Sequence, residues 1–324
     1  MNILYATYPM AFHTPGGGEI QLMAYYKYLN MGDTKINLMN PWGPKFGEQN
    51  IVHYFSCMGG SIHLCRFIKE LGIPLVISSS LWITPSTKNL YPADEIRMQL
   101  ELADRIVTNS QLESNAISET LGIEIDRFYT VYNGLDPAFL CRPSPEIFKE
   151  AQRISSPFIL CVGNIEPRKN QVSLAKAMQK FRDHRLVLIG HVRDSEYLDQ
   201  TLGAGLPGQV VYVGPLPHDS VALRSAYQAC DAFCLPSTLE TPGLAALEAA
   251  AQGRPLAVTE VGSTREYFGE AVAYLQPDEP DSIAEAIREA LQQTSSQKEH
   301  LARLGASFTW PQVVKRLQAL YDQF

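Results

Sequence analysis

The chain has 324 residues, 45% hydrophobic and 19% charged, so it buries a core and is not a disordered polymer. At roughly 100–200 residues per domain, that length fits two domains. Lys+Arg is 27 against Asp+Glu 34, a formal net charge of −7, and there is no basic run. Such a chain is a poor nucleic-acid binder, because that affinity comes mainly from neutralising phosphates.

In chain order, strand-length apolar runs occupy 2–7, 35–39, 51–55, 74–78, 105–109 and 127–132. Helix-length stretches fall near 19–31, 60–71, 94–103 and 111–121. The rhythm continues with strands at 158–163, 185–190, 209–214, 231–236, 254–259 and 271–275, and helices near 170–182, 218–229, 243–252 and 280–293. Nearly continuous apolar runs, each followed by a crossover helix, are the mark of buried parallel strands. The pattern predicts an α/β fold of two Rossmann-like, doubly wound parallel sheets in tandem. The boundary is expected in PSPEIFKEAQRISSPF (143–158), giving domains 1–150 and 151–307. FTWPQVVKRLQALYDQF (308–324) reads as a closing amphipathic helix packing back toward the first domain.

No apolar run approaches the ~20 residues that span a bilayer. MNILYATYPMAF has no basic residue ahead of its apolar stretch and reads as a first strand rather than a signal peptide. Cys57, Cys65, Cys141, Cys161, Cys230 and Cys234 show no CxxC spacing. They read as reduced core residues of a cytoplasmic protein, not as disulfides or metal ligands.

Open α/β sheets bind ligands at the carboxyl ends of their strands, so the strand-to-helix loops facing a cleft between the sheets are the place for chemistry. The first such loop carries Gly16, Gly17 and Gly18 directly before an apolar helix. Glycines there let a backbone approach a ligand, and a helix N-terminus attracts an anion. Spacing other than GxGxxG argues against a nicotinamide site. GNIEPRKNQ (163–171) sets Arg168 and Lys169 just before a helix, an arrangement suited to an anion such as a diphosphate. In PSTLETPGLAALEAAAQGRP (236–255), Glu240 ends a strand, Thr241 is a plausible N-cap and Pro242 suits the first helical position. Gly243 and Leu244 would then present free backbone N–H groups. Glu248, seven residues after Thr241, shares a face with that helix start, ~10 Å further along the axis. Two carboxylates flanking an anion site suit an elongated ligand with hydroxyls at both ends, since carboxylates accept from sugar hydroxyls. The flanks of Glu248 are apolar all round, so it is expected to be buried with a partner.

Weaker candidates are Asn133 in VYNGLD, the strand end Gly214-Pro215-Leu216, which could border a planar base, and a lone His191. No GxSxG context supports a serine triad at Ser110 or Ser237.

These motifs together resemble a family 4 glycosyltransferase, with the GT-B architecture of two facing Rossmann-like domains. The resemblance spans nearly the whole chain. Its carriers are Gly16 to Gly18, ADRIVTNS (103–110), VYNGLD, VGNIEPRKN, the Glu240-x7-Glu248 block and FTWPQVVKRLQALY. It implies transfer of a hexosyl group from a UDP- or GDP-linked sugar to the hydroxyl of a sugar or lipid-linked sugar acceptor, with retention and no metal or other cofactor. By position, Lys169 would bind the diphosphate with Arg168 as helper, Glu240 the donor sugar and Glu248 the ribose. Gly243 and Leu244 would supply N–H groups, and Gly17 and Gly18 would line the ligands from the opposite domain. Polysaccharide or glycoconjugate synthesis is the implied setting, with peripheral contact at the inner face of a membrane left open. Three positions depart from the family pattern. Ser79 and Ser80 stand where many members carry His-Asp, Asn164 where many carry Arg, and Thr241-Pro242 where Gly-Phe is frequent. A sugar-nucleotide epimerase and a non-catalytic nucleotide-sugar-binding protein are the alternatives.

Overall fold

A computed structural model of the protein describes residues 1–324 apart from Thr14, Asp33 and Pro242. It divides into two units: Met1–Gly134 with Trp310–Phe324, and Leu135–Thr309.

The first unit is built on β1 (Asn2–Thr7), β2 (Lys35–Leu38), β3 (Ile51–Phe55), β4 (Leu75–Ser78), β5 (Arg105–Thr108) and β6 (Phe128–Thr130). All pairings are parallel, in the order β2-β1-β3-β4-β5-β6. Every residue of β3 and β4 is buried, which is why these strands read as unbroken apolar runs. His53, in the middle of β3, is the exception in the pattern. Its Nδ1 lies 2.5 Å from the Tyr321 hydroxyl and its Nε2 2.8 Å from Ser78 Oγ, and Tyr321 is 2.9 Å from the hydroxyl of Tyr5. Burial pushes the His53 pKa down to about 3, so the ring is neutral and serves as a satisfied core hydrogen-bonding group. This network fastens the last helix, Trp310–Tyr321, to the first sheet, while Trp310 meets Tyr25 edge-on at 5.7 Å.

The second unit is built on β7 (Phe158–Val162), β8 (Arg185–Ile189), β9 (Val210–Gly214), β10 (Ala232–Leu235), β11 (Leu256–Thr259) and β12 (Ala273–Leu275). These too are parallel, in the order β12-β11-β10-β7-β8-β9. Its core packs the sheet against helices Gln171–Met178 and Pro280–Leu291. The twelve strands coincide with the apolar runs of the sequence. Residues 143–158, expected as a linker, lie inside this unit instead. Helix Glu146–Gln152 packs on Val221–Ala229, with the Phe148 N–H donating to Ser225 Oγ at 2.9 Å and Phe148 itself fully buried. Helices Ser195–Ala204 and Ser295–Ala306 also lie where apolar periodicity marks nothing. Local caps start them: Asp194 accepts from the Tyr197 N–H, and Thr294 and Gln297 form a reciprocal pair. The six cysteines are unbridged and five are buried, but Cys141 is exposed, against the expectation of a core position.

Two glycines bring the exits of β7 and β8 together. Gly190 has φ +154°, and a Cβ on it would lie 1.9 Å from the Gly163 carbonyl oxygen. The backbone contact therefore tolerates no side chain. Gly190→Ala is expected to cost ~3 kcal/mol or more through strain and overpacking. Gly203→Ala, on a helix with open space around the new Cβ, is expected to be neutral or stabilising by up to ~1 kcal/mol. Urea denaturation of the two variants measures the difference.

Candidate active site

The second sheet reverses its strand order between β7 and β10, since β8 and β9 extend one way and β10 to β12 the other. The carboxyl ends at such a switch point form a crevice. The turn after β7 runs from Gly163 to Asn170 and includes the short 3-10 turn Pro167–Lys169. Asn170, at φ +57°, points its amide into the neighbouring loops, donating to Pro236 O at 3.0 Å and Pro277 O at 2.7 Å. The Thr238 N–H donates to Arg168 O at 2.9 Å. The loops after β7, β10 and β12 are thereby tied into one edge.

Glu240 is pinned by its own backbone. Its N–H donates to Val261 O at 3.2 Å, and its carbonyl accepts from the Ser263 N–H at 3.0 Å. Gly262, at φ +108°, allows this approach: a Cβ there would sit 2.0 Å from Glu240 O. The carboxylate, only 6% exposed, receives Lys169 Nζ at 2.5 Å on Oε1, and Arg168 Nη1 stands 3.8 Å away. Burial alone would raise the Glu240 pKa, but the charges of Lys169 and Arg168 and the Lys169 hydrogen bond outweigh it and hold the group below the ordinary carboxylate value. Glu240 is thus ionised and fixed. Arg168 also donates to Leu239 O and to Glu166 Oε1, each at 3.2 Å. Glu166 Oε2 in turn accepts from Arg193 Nη1 at 3.2 Å.

Helix Leu244–Ala251 begins later than the sequence indicates. Gly243, at φ +83°, is its N-cap and Leu244 its first residue, so Thr241 is not the cap. The backbone ties of Glu240 hold the chain out of helical geometry until Gly243 turns it, and a Cβ on Gly243 would lie 2.6 Å from Leu235. Pro242 lies outside the described residues. The first turn leaves N–H groups at Leu244 and Ala245 without intrahelical acceptors, at the end where the helix dipole is positive.

Glu248 is buried, as its apolar flanks indicate, and it has two partners. Oε1 lies 2.6 Å from His218 Nε2, and Oε2 accepts from the Tyr227 hydroxyl at 2.7 Å. The Glu248 hydrogen bond raises the His218 pKa against the opposing effect of burial, with Asp136 and Asp219 adding to the rise. His218 follows Gly214, Pro215 and Leu216, so the loop that ends β9 reaches back to Glu248. Asn164 lies at the exit of β7, where Arg193 presents two donors to its amide, which sets its oxygen toward them.

The structure thus brings together Asn164, Arg168, Lys169, Glu240, Gly243, Leu244 and, through the β9 loop, Glu248. Gly214, Pro215, Leu216 and Thr241 lie in this unit too, whereas Gly16, Gly17, Gly18, Ser79, Ser80 and Asn133 belong to the other. Gly17 opens helix Gly17–Leu29, and a Cβ on Gly18 would meet nothing within 4 Å. Ser79 is buried with its hydroxyl donating to Glu113 Oε1 at 2.7 Å, Ser80 is exposed at φ +43°, and Asn133 is buried. Sequence reading misses Glu166, Asn170, Arg193, His218 and Tyr227. A charged or polar residue one to four positions beyond a strand end is the signal that could have marked Arg193 and His218. Among the described residues, no cluster of three or more His, Cys, Asp or Glu is placed to hold a metal, and no helix is long and apolar enough to cross a membrane.

The family described as glycosyl transferases group 1 matches residues 144–306, half of the chain and nearly all of the unit that carries this site. The chain belongs to that family. The O-antigen chain mannosyltransferase B of Escherichia coli is 27% identical over 239 residues, covering 70% of this chain and 62% of that protein. Against two other curated relatives the chain spans about half their length, 50% and 45%. Sucrose-phosphate synthase from Thermosynechococcus elongatus superposes with a TM-score of 0.83 at 16% identity, covering 100% of this chain and 99% of the other. HepE of Anabaena, solved in complex with UDP-glucose, gives 0.79 at 18% identity over 100% of both chains. The two Rossmann-like sheets are those of the GT-B fold.

Lys169 and Glu240 are both nearly buried, so removing one strands the other. Lys169→Met is expected to destabilise the second unit by ~3–5 kcal/mol, and Lys169→Met/Glu240→Leu by clearly less than the sum of the single changes. A double-mutant cycle in urea reads the coupling. For His218 the folded pKa lies above the ordinary 6.5, so the stability it contributes is full below that value and fades as pH rises through the raised one. The melting-temperature gap between wild type and His218→Gln should therefore be widest below the ordinary histidine value and shrink as pH rises above it.

Proposed function

We propose that the chain transfers a hexosyl group from a UDP- or GDP-linked donor to an acceptor hydroxyl, with retention at the anomeric carbon and without a metal. The observation that carries this reading is the Lys169–Glu240 pair at the mouth of helix Leu244–Ala251, with Glu248 further along the same helix. HepE, of the same fold, binds UDP-glucose, which supports a nucleotide-sugar donor here.

The bond that breaks joins the anomeric carbon to a diphosphate oxygen, and the diphosphate gains negative charge as it departs. Lys169, Arg168 and the N–H groups of Leu244 and Ala245 are fixed donors and cations aimed at one edge, and they stabilise that charge without reorganising. Glu240, kept ionised, holds the Lys169 ammonium in place and offers Oε2 to the hydroxyls of the sugar. Glu248 has a carboxylate oxygen free to accept a second hydrogen bond from a ribose hydroxyl beside its present partners. Retention with no separate nucleophile fits a front-face route, in which the departing phosphate oxygen takes the proton of the acceptor hydroxyl as that oxygen bonds the anomeric carbon. The acceptor, a sugar or a lipid-linked sugar, is assigned to the first unit, with Ser80 as a candidate contact.

Lys169→Ala and Glu240→Ala are each expected to lower transfer from a sugar nucleotide by 10²–10³, or ~3–4 kcal/mol. Glu248→Ala should chiefly raise the donor KM. Chelation with EDTA should leave turnover unchanged. Wild-type turnover in both of the first two variants would overturn the site, and conversion of the donor without any acceptor glycoside would point to the epimerase instead.

A further inference from the structure

We infer that Arg193 is a third cation of the donor's diphosphate site, carried by the loop after β8 and aimed by Asn164 and Glu166. The inference rests on the donor reading above and deepens it.

The placement follows from the backbone. Gly163 and Gly190 press the exits of β7 and β8 together, and the pairing continues one step beyond the strands as a parallel bridge between Ile165 and Val192. The Ile165 N–H donates to His191 O at 2.8 Å and the Arg193 N–H to Ile165 O at 3.1 Å. Arg193 is thus held in register over the turn that carries the Gly163–Lys169 motif. Its guanidinium donates through Nε at 3.1 Å and Nη2 at 3.2 Å to Asn164 Oδ1, and through Nη1 at 3.2 Å to Glu166 Oε2. The two donors facing the amide fix which way it points.

Lys169 lies against the adjoining residue, Gly163. Its Cε lies 3.4 Å from where a Cβ on Gly163 would stand. A lysine stem therefore covers Gly163, and a guanidinium sits on the very next residue. An anion above the Gly163–Asn164 backbone is flanked by both. Arg168, Lys169 and Arg193 carry three positive charges against the two negative charges of Glu166 and Glu240, so the cluster keeps a net positive charge for an anionic ligand. Glu166 is shared, Oε1 with Arg168 and Oε2 with Arg193, and sets the spacing of the two guanidinium groups. Asn164 brings no charge. It accepts from Arg193 and so imports into this position the cation that its own side chain lacks. A planar guanidinium held at three points is preorganised for bidentate contact with phosphate oxygens.

The test compares binding of UDP and GDP with binding of uridine and guanosine, by calorimetry, in wild type, Arg193→Gln, Arg193→Lys and Arg193→Gln/Asn164→Arg. In Arg193→Gln the preferred nucleoside diphosphate should bind at least ~10-fold more weakly while its nucleoside binds as before. Arg193→Lys, which keeps the charge and loses the fork, should fall between. Asn164→Arg in the Arg193→Gln background should restore most of the loss. A merely structural Arg193 would change melting temperature and weaken diphosphate and nucleoside alike, and equal loss for both, or no loss, overturns the inference while the donor reading stands. Wild type that binds neither UDP nor GDP overturns both.

Discussion

The salt bridge between Lys169 and Glu240 organises the edge where the strand-end loops of the second sheet meet. Two opposite charges with little exposure cannot be left unpaired, because the cost of desolvating either alone is several kcal/mol. Their meeting requires that the loop after β7 and the loop after β10 stand side by side, which only the strand order of the second sheet permits. The Asn170 side chain and the Thr238 backbone tie these two loops together, while Val261 and Ser263 hold the Glu240 backbone from the loop after β11.

The same edge shows how glycine is used. At Gly190 and Gly262 a side chain is excluded by main chain, not by ligand, and each positions a residue of the proposed site: Gly190 the register of Arg193, and Gly262 the backbone of Glu240. Gly243 differs, because its positive φ launches the helix whose first turn leaves N–H groups open. Gly18 differs again, with open space where a side chain would be, so nothing within its own unit demands a glycine.

Much of this was legible in the residues. Strands such as Ile51–Phe55 and Ala232–Leu235 are buried on both faces, and a buried strand leaves no room for ambiguity in its composition. Arg168, Lys169, Glu240 and Glu248 stand out because charges beside apolar runs need partners. What escaped depends on distance along the chain. Arg193 is 27 positions from Glu166 and His218 is 30 from Glu248, and no local pattern encodes such pairings. Helix Ser195–Ala204 escaped for a local reason: it buries only Tyr197 and Thr201, so it lacks an apolar stripe and depends on the Asp194 cap. The start of helix Leu244–Ala251 was misplaced because Thr241 and Pro242 are favourable cap residues by type, and a tertiary tie at Glu240 overrode that preference.

The last helix has a consequence for how the chain comes to be folded. The second unit is a continuous stretch, whereas the first takes its Tyr321 hydroxyl, the partner of His53 and Tyr5, from beyond it. During synthesis, residues 135–309 are made before Trp310–Tyr321. Until then His53 faces a gap where a hydroxyl belongs, an arrangement a buried ring does not tolerate well. The half of the molecule synthesised first is therefore the half completed last.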